Sequence, residues 1–324
     1  MLEQIKKNWF VVVVALILLV ASGFYINDQM KSVVRGKRVD GQQVVFSIAG
    51  DIFLVEDYQN ELNELLGDSA MYQIFERELL NSLEISEDEA VDAKLRAEST
   101  INYIKQSQGS KGLEALERDL KALGYEGIDS FVTYNENLTK YQNLVKAHFL
   151  NNYDRLFKQY VENDKPRLVK HILVSMEDVE NPTEAELKKM ETIEEALADG
   201  KKFEEIATNY SDDTETAKNG GSIGVVDANS SLVPQFLEAM LSLEASETSG
   251  WIDTQYGKHL IYVEETDFEK LLNDTNYFGE LTEEYNKEVG QALWDITKNL
   301  DIEFHNSDVE NKIKNLLGID KEEA

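Results

Sequence analysis

The sequence of 324 residues contains no cysteine, only three prolines and only four histidines. Without cysteine the chain has no disulfide, no thiolate metal ligand, no cysteine nucleophile and no N-terminal cysteine to carry a lipid. Basic residues are also scarce, since 32 lysines and arginines face 62 aspartates and glutamates and leave a formal net charge of -30 at pH 7. Phosphates would be repelled by this charge, which argues against nucleic acid as a partner. We attribute the charge to solvated helix faces.

Long apolar runs are confined to the N-terminus, where residues 9–26 have about the length of a membrane-spanning helix. Lys6 and Lys7 precede this run and favour a cytoplasmic N-terminus, whereas four basic residues after it favour the opposite orientation. A cleaved signal peptide is the alternative interpretation. We predict an uncleaved single-pass anchor over residues 1–30 and a basic linker over residues 31–43. The rest of the chain is then expected on the extracytoplasmic side of the cell membrane.

Amphipathic helices dominate the region after the linker. Residues 44–54 have the pattern of two short extended pieces joined by a turn, and helical spacing follows as far as residue 163. Ser86 and Glu89 have the spacing of a capping box at the start of one helix. Because chemically reactive residue types do not cluster here, the region predicts a structural or interacting role.

The last sixty residues return to helical spacing. Apolar residues from Leu281 to Leu300 form one stripe, and Ser307 with Glu310 predicts a further capping box. This tail is too small to hold a large core alone. We therefore expect residues 266–324 to pack on residues 44–165, so that the segment between them is an insertion.

The inserted segment mixes strand and helix patterns and holds five short motifs. Two histidines lie within apolar runs of strand type, in the first and the last motif. The motifs, in order, are Lys170–Val174, Tyr210–Asp213, Gly220–Gly224, Val233–Phe236 and Thr254–Ile261. Their order and spacing resemble those of the parvulin peptidyl-prolyl isomerases, and the resemblance covers nearly all of residues 166–265. Five separate motifs in agreement are far more specific than one.

The resemblance implies an α+β fold, a small sheet covered by helices inserted in a mainly helical chaperone domain. Together with the N-terminal transmembrane helix, this layout is similar to the PrsA-like extracytoplasmic foldases and to the related SurA and PpiD chaperones. The implied parts are a helical foldase domain over residues 44–165, an isomerase domain over residues 166–265 and a C-terminal helical segment over residues 266–324.

The same resemblance places His171 and His259 side by side on neighbouring central strands, with Asp213 close by. We assign these three residues to a catalytic hydrogen-bonded network around the twisting prolyl amide. Taken alone, a histidine in a strand is more often a core residue, and Asp213 could simply begin a turn. Asp213 stands where some family members have cysteine.

The resemblance also implies four substrate-binding residues, Leu232, Phe236, Thr254 and Tyr256. Without it, Phe236 would be read as part of the core face of a helix. Ser222 departs from the aspartate that usually follows Gly-Gly in the family, which leaves catalytic efficiency open. Rotation about a prolyl amide needs neither nucleophile, metal nor cofactor, so we predict none.

Acidic residues follow the first strand, at residues 176–180, where phosphate-directed parvulins carry a basic cluster. We therefore expect the substrates to be unphosphorylated, unfolded or partly folded secreted polypeptides with X-Pro bonds. The other expected partner is the membrane, through the N-terminal helix, and a homodimer is left open. A holdase chaperone with an inactive isomerase module and a scaffolding surface protein are the alternatives. Neither a protease nor a metalloenzyme is indicated.

Overall fold

The computed structural model describes residues 38–39, 41–48, 51–300 and 302–319. The predicted anchor over residues 1–30 and most of the basic linker lie outside the described residues. Within the described ranges, no helix combines the length and the apolar character needed to cross a membrane. The chain divides into two compact units, of which the first ends at Met71 and the second begins at Tyr72.

The first unit contains a three-stranded antiparallel sheet that continues into a helix. Its strands are β1 (Arg38–Val39), β2 (Gln42–Ile48) and β3 (Asp51–Leu54). The two predicted extended pieces are thus confirmed as a pair, with the Phe46 and Phe53 rings stacked 4.7 Å apart. Helix α1 (Val55–Asn81) follows directly and is interrupted at Gly67, where φ is +69°. Glycine adopts this backbone conformation without steric cost, so α1 consists of two helical pieces.

The second unit continues with helices before the isomerase sheet. The capping box predicted for Ser86 and Glu89 is confirmed, because each side chain accepts a hydrogen bond from the other residue's backbone N–H. A 3₁₀ turn (Ile128–Ser130) lies within this series. The helices are α2 (Glu87–Ser107), α3 (Gly109–Ala122), α4 (Phe131–Asn151), α5 (Tyr153–Leu156) and α6 (Lys158–Asp164).

Four helices close the described chain: α11 (Phe268–Leu271), α12 (Thr275–Glu284), α13 (Asn286–Asn299) and α14 (Ser307–Leu316). The single stripe predicted from Leu281 to Leu300 was wrong, because Tyr285 leaves the helical conformation between α12 and α13. The capping box predicted at Ser307 was also wrong. Asn306 caps α14 instead, with its side-chain oxygen accepting from the backbone N–H groups of Asp308 and Val309.

An aromatic cluster joins the C-terminal helices to α4 and to the residues that precede α6. The Phe157 ring lies 5.0 Å from Phe149, 4.7 Å from Phe268 and 4.8 Å from Tyr285 between ring centroids. Phe149 and Phe157 are fully buried. Tyr285, the residue between α12 and α13, thus places its ring in this cluster.

The isomerase region forms an antiparallel sheet in the order β5 (Ser222–Val226), β4 (Arg167–Ser175), β8 (Gly257–Glu265) and β6 (Glu247–Thr248). Strand β7 (Ile252–Thr254) also pairs with β8. The helices of this region are α7 (Glu184–Ala198), α8 (Phe203–Tyr210), α9 (Thr214–Ala217) and α10 (Pro234–Ser242). The described chain is therefore a mixture of helices and small antiparallel sheets, as predicted.

Strand alternation gives the isomerase sheet two different faces. Ile172, Val174 and Leu260 point to one face and pack against Ile193 of α7 and Ile206 of α8. The opposite face is built from odd-numbered residues of the same strands together with α10, namely Val169, Ile261, Val263, Phe236 and Met240. His171 and His259 are odd-numbered as well, so they lie on the face that α10 covers.

Candidate active site

The first and the last of the five motifs meet in the structure at a pair of histidines. His171 on β4 pairs across the sheet with Ile261, and His259 on β8 pairs with Leu173, so the two histidines are diagonal neighbours on one face. Their Nδ1 atoms lie 3.2 Å apart. The two rings are inclined by only 15°, with centroids separated by 5.4 Å. Both side chains are buried, and the predicted adjacency is observed.

Asp213 caps the short helix α9 and also contacts the histidine pair. It caps α9 through Oδ1, which accepts a 3.1 Å hydrogen bond from the Glu215 N–H. Its Oδ2 lies 2.9 Å from His171 Nε2 and 2.8 Å from the hydroxyl oxygen of Thr216. The helix cap thus fixes the carboxylate in front of the imidazole.

The electrostatics of the site favour two neutral imidazoles and one carboxylate. Burial lowers the pKa of His171, although the neighbouring Asp213 acts in the opposite direction. Burial lowers the pKa of His259 to about 4, and a proton on the neighbouring His171 would act in the same direction. Burial would raise the pKa of Asp213, but hydrogen bonds from Thr216 and His171 outweigh it, so that pKa is lowered. At neutral pH the site therefore carries one negative charge.

These protonation states give the hydrogen bonds one direction. Since Asp213 is an acceptor, His171 Nε2–H donates to it, and His171 Nδ1 accepts from His259 Nδ1–H. His259 Nε2 then accepts from the Thr254 hydroxyl, 2.9 Å away. The Thr254 oxygen in turn accepts a 3.1 Å hydrogen bond from the Tyr256 backbone N–H. Each imidazole is thereby held in one tautomer.

A cavity of about 350 Å³ opens above this network. Its size is at the lower end of the range for small-ligand sites. Phe236 is 4% exposed and its ring stands edge-on to both imidazoles, 5.6 Å from His171 and 5.4 Å from His259 between centroids. The remaining walls are mainly apolar and include Leu173, Ile223, Leu232 and Tyr256. The cavity thus combines an apolar enclosure with a polar base.

Three of the four predicted substrate-binding residues, Leu232, Phe236 and Tyr256, line the cavity. Tyr256 is 55% exposed and forms part of the rim. Thr254 does not line the cavity, because it is only 4% exposed and its hydroxyl contacts His259 Nε2. The structure therefore groups Thr254 with the histidine network.

Sequence reasoning assigned no site role to five residues, which are Leu173, Thr216, Ile223, Ser231 and Val233. Leu173 lies two positions after His171, so strand alternation could have placed it on the same face. Ile223 lines the same cavity from β5. Thr216 contacts both Asp213 and His171 Nε2, the latter at 3.1 Å, and its position in the short helix α9 gave no sequence signal.

Gly221 supports the backbone of His171. Its carbonyl oxygen accepts a 2.8 Å hydrogen bond from the His171 N–H. Gly221 has φ of +80°, and a Cβ added there would lie 2.3 Å from the carbonyl oxygen of His171. A residue without a side chain is therefore required at this position.

The charged and metal-binding groups around the cavity are few in the described part of the chain. Lysine and arginine are absent from the described residues that line the cavity. No group of three or more His, Asp or Glu side chains within the described ranges is arranged to hold a metal ion.

Comparisons with known proteins agree with this geometry. Residues 171–265 match the family model of the rotamase, PPIC-type PPIASE domain. Foldase protein PrsA 2 of Listeria monocytogenes is 30% identical over 237 residues, which cover 71% of this chain and 72% of that protein. Chaperone SurA of Methylobacillus flagellatus is 40% identical over 95 residues, covering 29% of this chain and 21% of that protein.

Among solved structures, the crystal structure of PrsA from Bacillus subtilis aligns with a TM-score of 0.41 at 22% identity, covering 84% of this chain and 98% of that chain. The identity and coverage of the Listeria relative, together with the matched isomerase domain, establish the family. The chain belongs to the PrsA foldases and is a parvulin-type peptidyl-prolyl cis-trans isomerase.

Proposed function

We propose that this isomerase is a membrane-anchored extracytoplasmic foldase that rotates unphosphorylated X-Pro bonds in unfolded or partly folded secreted polypeptides. The observation that carries the proposal is the apolar cavity closed at its base by two neutral imidazoles and one carboxylate. Such a site offers contact area for a proline ring without a nucleophile or a metal ion.

The cavity walls supply the first part of the mechanism. Rotation about the prolyl amide loses resonance and costs about 18–20 kcal/mol. In our proposal the proline ring packs against Phe236 and Leu232, which holds the pyrrolidine while the preceding carbonyl turns. A planar amide separates charge more than a twisted one, so an apolar enclosure that excludes water favours the twisted form over both planar isomers.

The histidine network supplies the second part. We assign His171, Asp213 and His259 the catalytic role of presenting fixed dipoles at the base of the cavity. Because every ring nitrogen already has a partner within the network, these residues are proposed to act by orientation and not by proton transfer. Thr254 fixes His259 through the hydrogen bond to Nε2, and Tyr256 contacts the substrate residues that flank the proline.

The charge around the cavity supports an unphosphorylated substrate. Among the described lining residues none is basic, and Asp213 contributes a negative charge. The acidic residues Glu177, Asp178 and Glu180 lie in the segment that follows β4. A phosphate next to the proline would therefore find repulsion where arginine contacts are needed.

The proposal includes the domain organisation expected from sequence. Residues 1–30 are the anchor, residues 31–43 the linker, residues 44–165 a helical foldase domain, residues 166–265 the isomerase domain and residues 266–324 a segment that returns to the helical domain. Support for the last point comes from the aromatic contacts that Phe149 and Phe157 make with the C-terminal helices.

The specificity and the pocket can be tested together by NMR exchange spectroscopy on a Ser-Pro peptide and its phosphoserine counterpart, with the full chain as catalyst. We expect faster cis-trans exchange for the unphosphorylated peptide only. Phe236→Ala should lower this rate by about tenfold or more, since burial of such a ring contributes at least about 1.5 kcal/mol. The control Leu187→Ala alters an exposed residue of α7 and should retain the rate.

Faster exchange of the phosphorylated peptide would overturn the specificity. Absence of exchange with both peptides, combined with suppressed aggregation of an unfolded protein, would favour the holdase alternative instead.

A further inference from the structure

A second cavity, of about 300 Å³, lies among helices of the second unit. These helices precede the isomerase sheet in the sequence. It is formed by the C-terminal part of α1, the end of α3 with the loop after it, and α4. We call it the tyrosine cavity. Its main lining residues are Glu76, Leu80, Leu123, Tyr125, Tyr134 and Tyr141.

The carboxylate of Glu76 lies in this cavity without a cationic partner among the described residues. The Tyr72 hydroxyl donates a 2.9 Å hydrogen bond to Glu76 Oε1. Burial raises the pKa of the Glu76 carboxyl, and the hydrogen bond from Tyr72 offsets this only in part. A partly buried carboxylate in this position is stabilised when a positive charge is brought to it.

The neighbouring Arg77 does not supply that charge. Its guanidinium donates a 2.6 Å hydrogen bond to the carbonyl oxygen of Gly124 and a 2.9 Å hydrogen bond to Glu78. The same guanidinium lies 6.0 Å from the centroid of the Tyr125 ring. Among the described residues no cation lies over the Tyr134 or Tyr141 ring, so these rings can take part in a further cation–π contact.

The aromatic walls are held in place before any ligand arrives. Tyr134 stacks on Phe131 at 5.8 Å, and Tyr125 stands edge-on to Tyr134 at 5.7 Å. Asn137, only 2% exposed, donates a 3.1 Å hydrogen bond to the Tyr125 hydroxyl. Because these side chains are already fixed, binding would require little further ordering of the walls.

We infer that the tyrosine cavity binds the basic side chain of a polypeptide, a lysine ammonium or an arginine guanidinium placed between Glu76 and the tyrosine rings. The aliphatic stem of such a side chain would lie along Leu80 and Leu123. A carboxylate beside aromatic faces is the chemistry that selects an organic cation. The net charge of -30 attracts basic segments to the chain as a whole. This site requires no proline and is independent of the isomerase cavity.

The test measures binding of three fluorescent, proline-free peptides to the full chain by anisotropy. The peptides are identical except at one central position, which is lysine, norleucine or glutamate. Norleucine keeps the aliphatic stem and removes the ammonium group. We expect the lysine peptide to bind about tenfold more tightly than the norleucine peptide, and the glutamate peptide to bind most weakly.

Matched variants assign that preference to the cavity. Glu76→Gln should reduce the preference for lysine to about twofold or less, whereas Glu84→Gln, an equal change of charge at an exposed position outside the cavity, should retain it. Tyr134→Leu keeps an apolar wall without the aromatic ring and should lower the affinity for the lysine peptide by about fivefold. Thermal unfolding of each variant checks that the helices remain folded.

Equal binding of the lysine and norleucine peptides to the unaltered chain would overturn the inference. An equal loss in Glu76→Gln and Glu84→Gln would overturn it too, because it would show general attraction to an acidic chain. His171→Ala should leave all three affinities unchanged, so failure here and failure of the isomerase proposal remain distinguishable.

Discussion

His171 and His148 both lie 2.9 Å from a carboxylate oxygen, but their surroundings differ. His171 Nε2 faces Asp213 Oδ2, and His148 Nε2 faces Glu288 Oε2. Arg155 donates two further 2.7 Å hydrogen bonds to Glu288, so this group links α13 to the end of α4 and to α5. The His171 pair contacts a second imidazole and opens on an apolar cavity.

A histidine and a carboxylate at hydrogen-bond distance therefore do not by themselves identify an active site. Arg155, a permanent cation, holds the pKa of Glu288 down to about 2 and makes this group an ion-paired link between helices. At the other site, burial keeps the imidazoles neutral, with the pKa of His259 lowered to about 4. Their surroundings thus separate the ion-paired link at His148 from the catalytic network that we propose at His171.

The largest effect is expected from the backbone that supports His171. Gly221→Ala should destabilise the fold by about 3 kcal/mol and abolish isomerase activity, because the new Cβ would be strained at positive φ and overlap the His171 carbonyl. Urea unfolding measures the change. Gly279→Ala adds the same methyl group to α12. The added Cβ there would have no atom within 4 Å apart from its chain neighbours and the backbone of its own helix, so this variant should be neutral or slightly stabilising. Equal stability of the two variants would contradict the proposed support.

The next effect is the pH dependence that the neutral histidines impose. Since folding lowers the pKa of His259 from 6.5 to about 4, the folded state binds fewer protons than the unfolded state in this interval. Stability should be complete above pH 6.5 and fall as the pH drops toward 4, by at most about 3 kcal/mol. His259→Gln should flatten this part of the stability curve. An NMR titration of His259 with a midpoint near 6.5 would contradict the account.

A smaller effect, in a lower pH window, is expected at Glu288. Its folded-state pKa is about 2 against an ordinary value of 4.5, so it stabilises the fold above pH 4.5 and this stabilisation is lost as the pH falls toward 2. Glu288→Gln should cost about 2 kcal/mol at pH 7 and leave isomerase activity unchanged. The exposed Glu280→Gln on α12 is the control and should change neither. Loss of isomerase activity in Glu288→Gln would contradict the purely structural role assigned to this carboxylate.

The smallest effect is expected from Thr254, which touches the network but not the cavity. Thr254→Val removes the hydroxyl that donates to His259 Nε2 and should lower kcat/KM by about fivefold, whereas Thr254→Ser should restore it. Nitrogen-15 NMR of the ring should show the second tautomer of His259 in the valine variant alone. An unchanged tautomer would mean that Thr254 only fills space.

Much of the isomerase region could be predicted from sequence because strands and helices there have strong periodic patterns. Strand alternation places His171 and His259 on defined faces of β4 and β8. Their meeting, 88 positions apart, followed only from the resemblance to parvulins. Thr216 was missed because a hydroxyl one helical turn after Asp213 has no periodic signature.

The helical region shows where such patterns fail. The apolar spacing from Leu281 to Leu300 continues across the break at Tyr285, whose ring packs against the distant residues Phe149 and Phe157. The tyrosine cavity likewise joins side chains from α1, the loop after α3 and α4 that share no common period. Contacts of this kind depend on tertiary packing, which local propensity does not encode.

The central claim is that His171 belongs to a catalytic network and His148 to a structural one. Its most direct test is NMR exchange spectroscopy on one unphosphorylated X-Pro peptide with the unaltered chain, His171→Ala and His148→Ala at equal folded concentration. We expect His171→Ala to lower the exchange rate about 100-fold, while the rate with His148→Ala stays within about twofold of that with the unaltered chain. Equal losses in both variants, or full activity in His171→Ala, would contradict it.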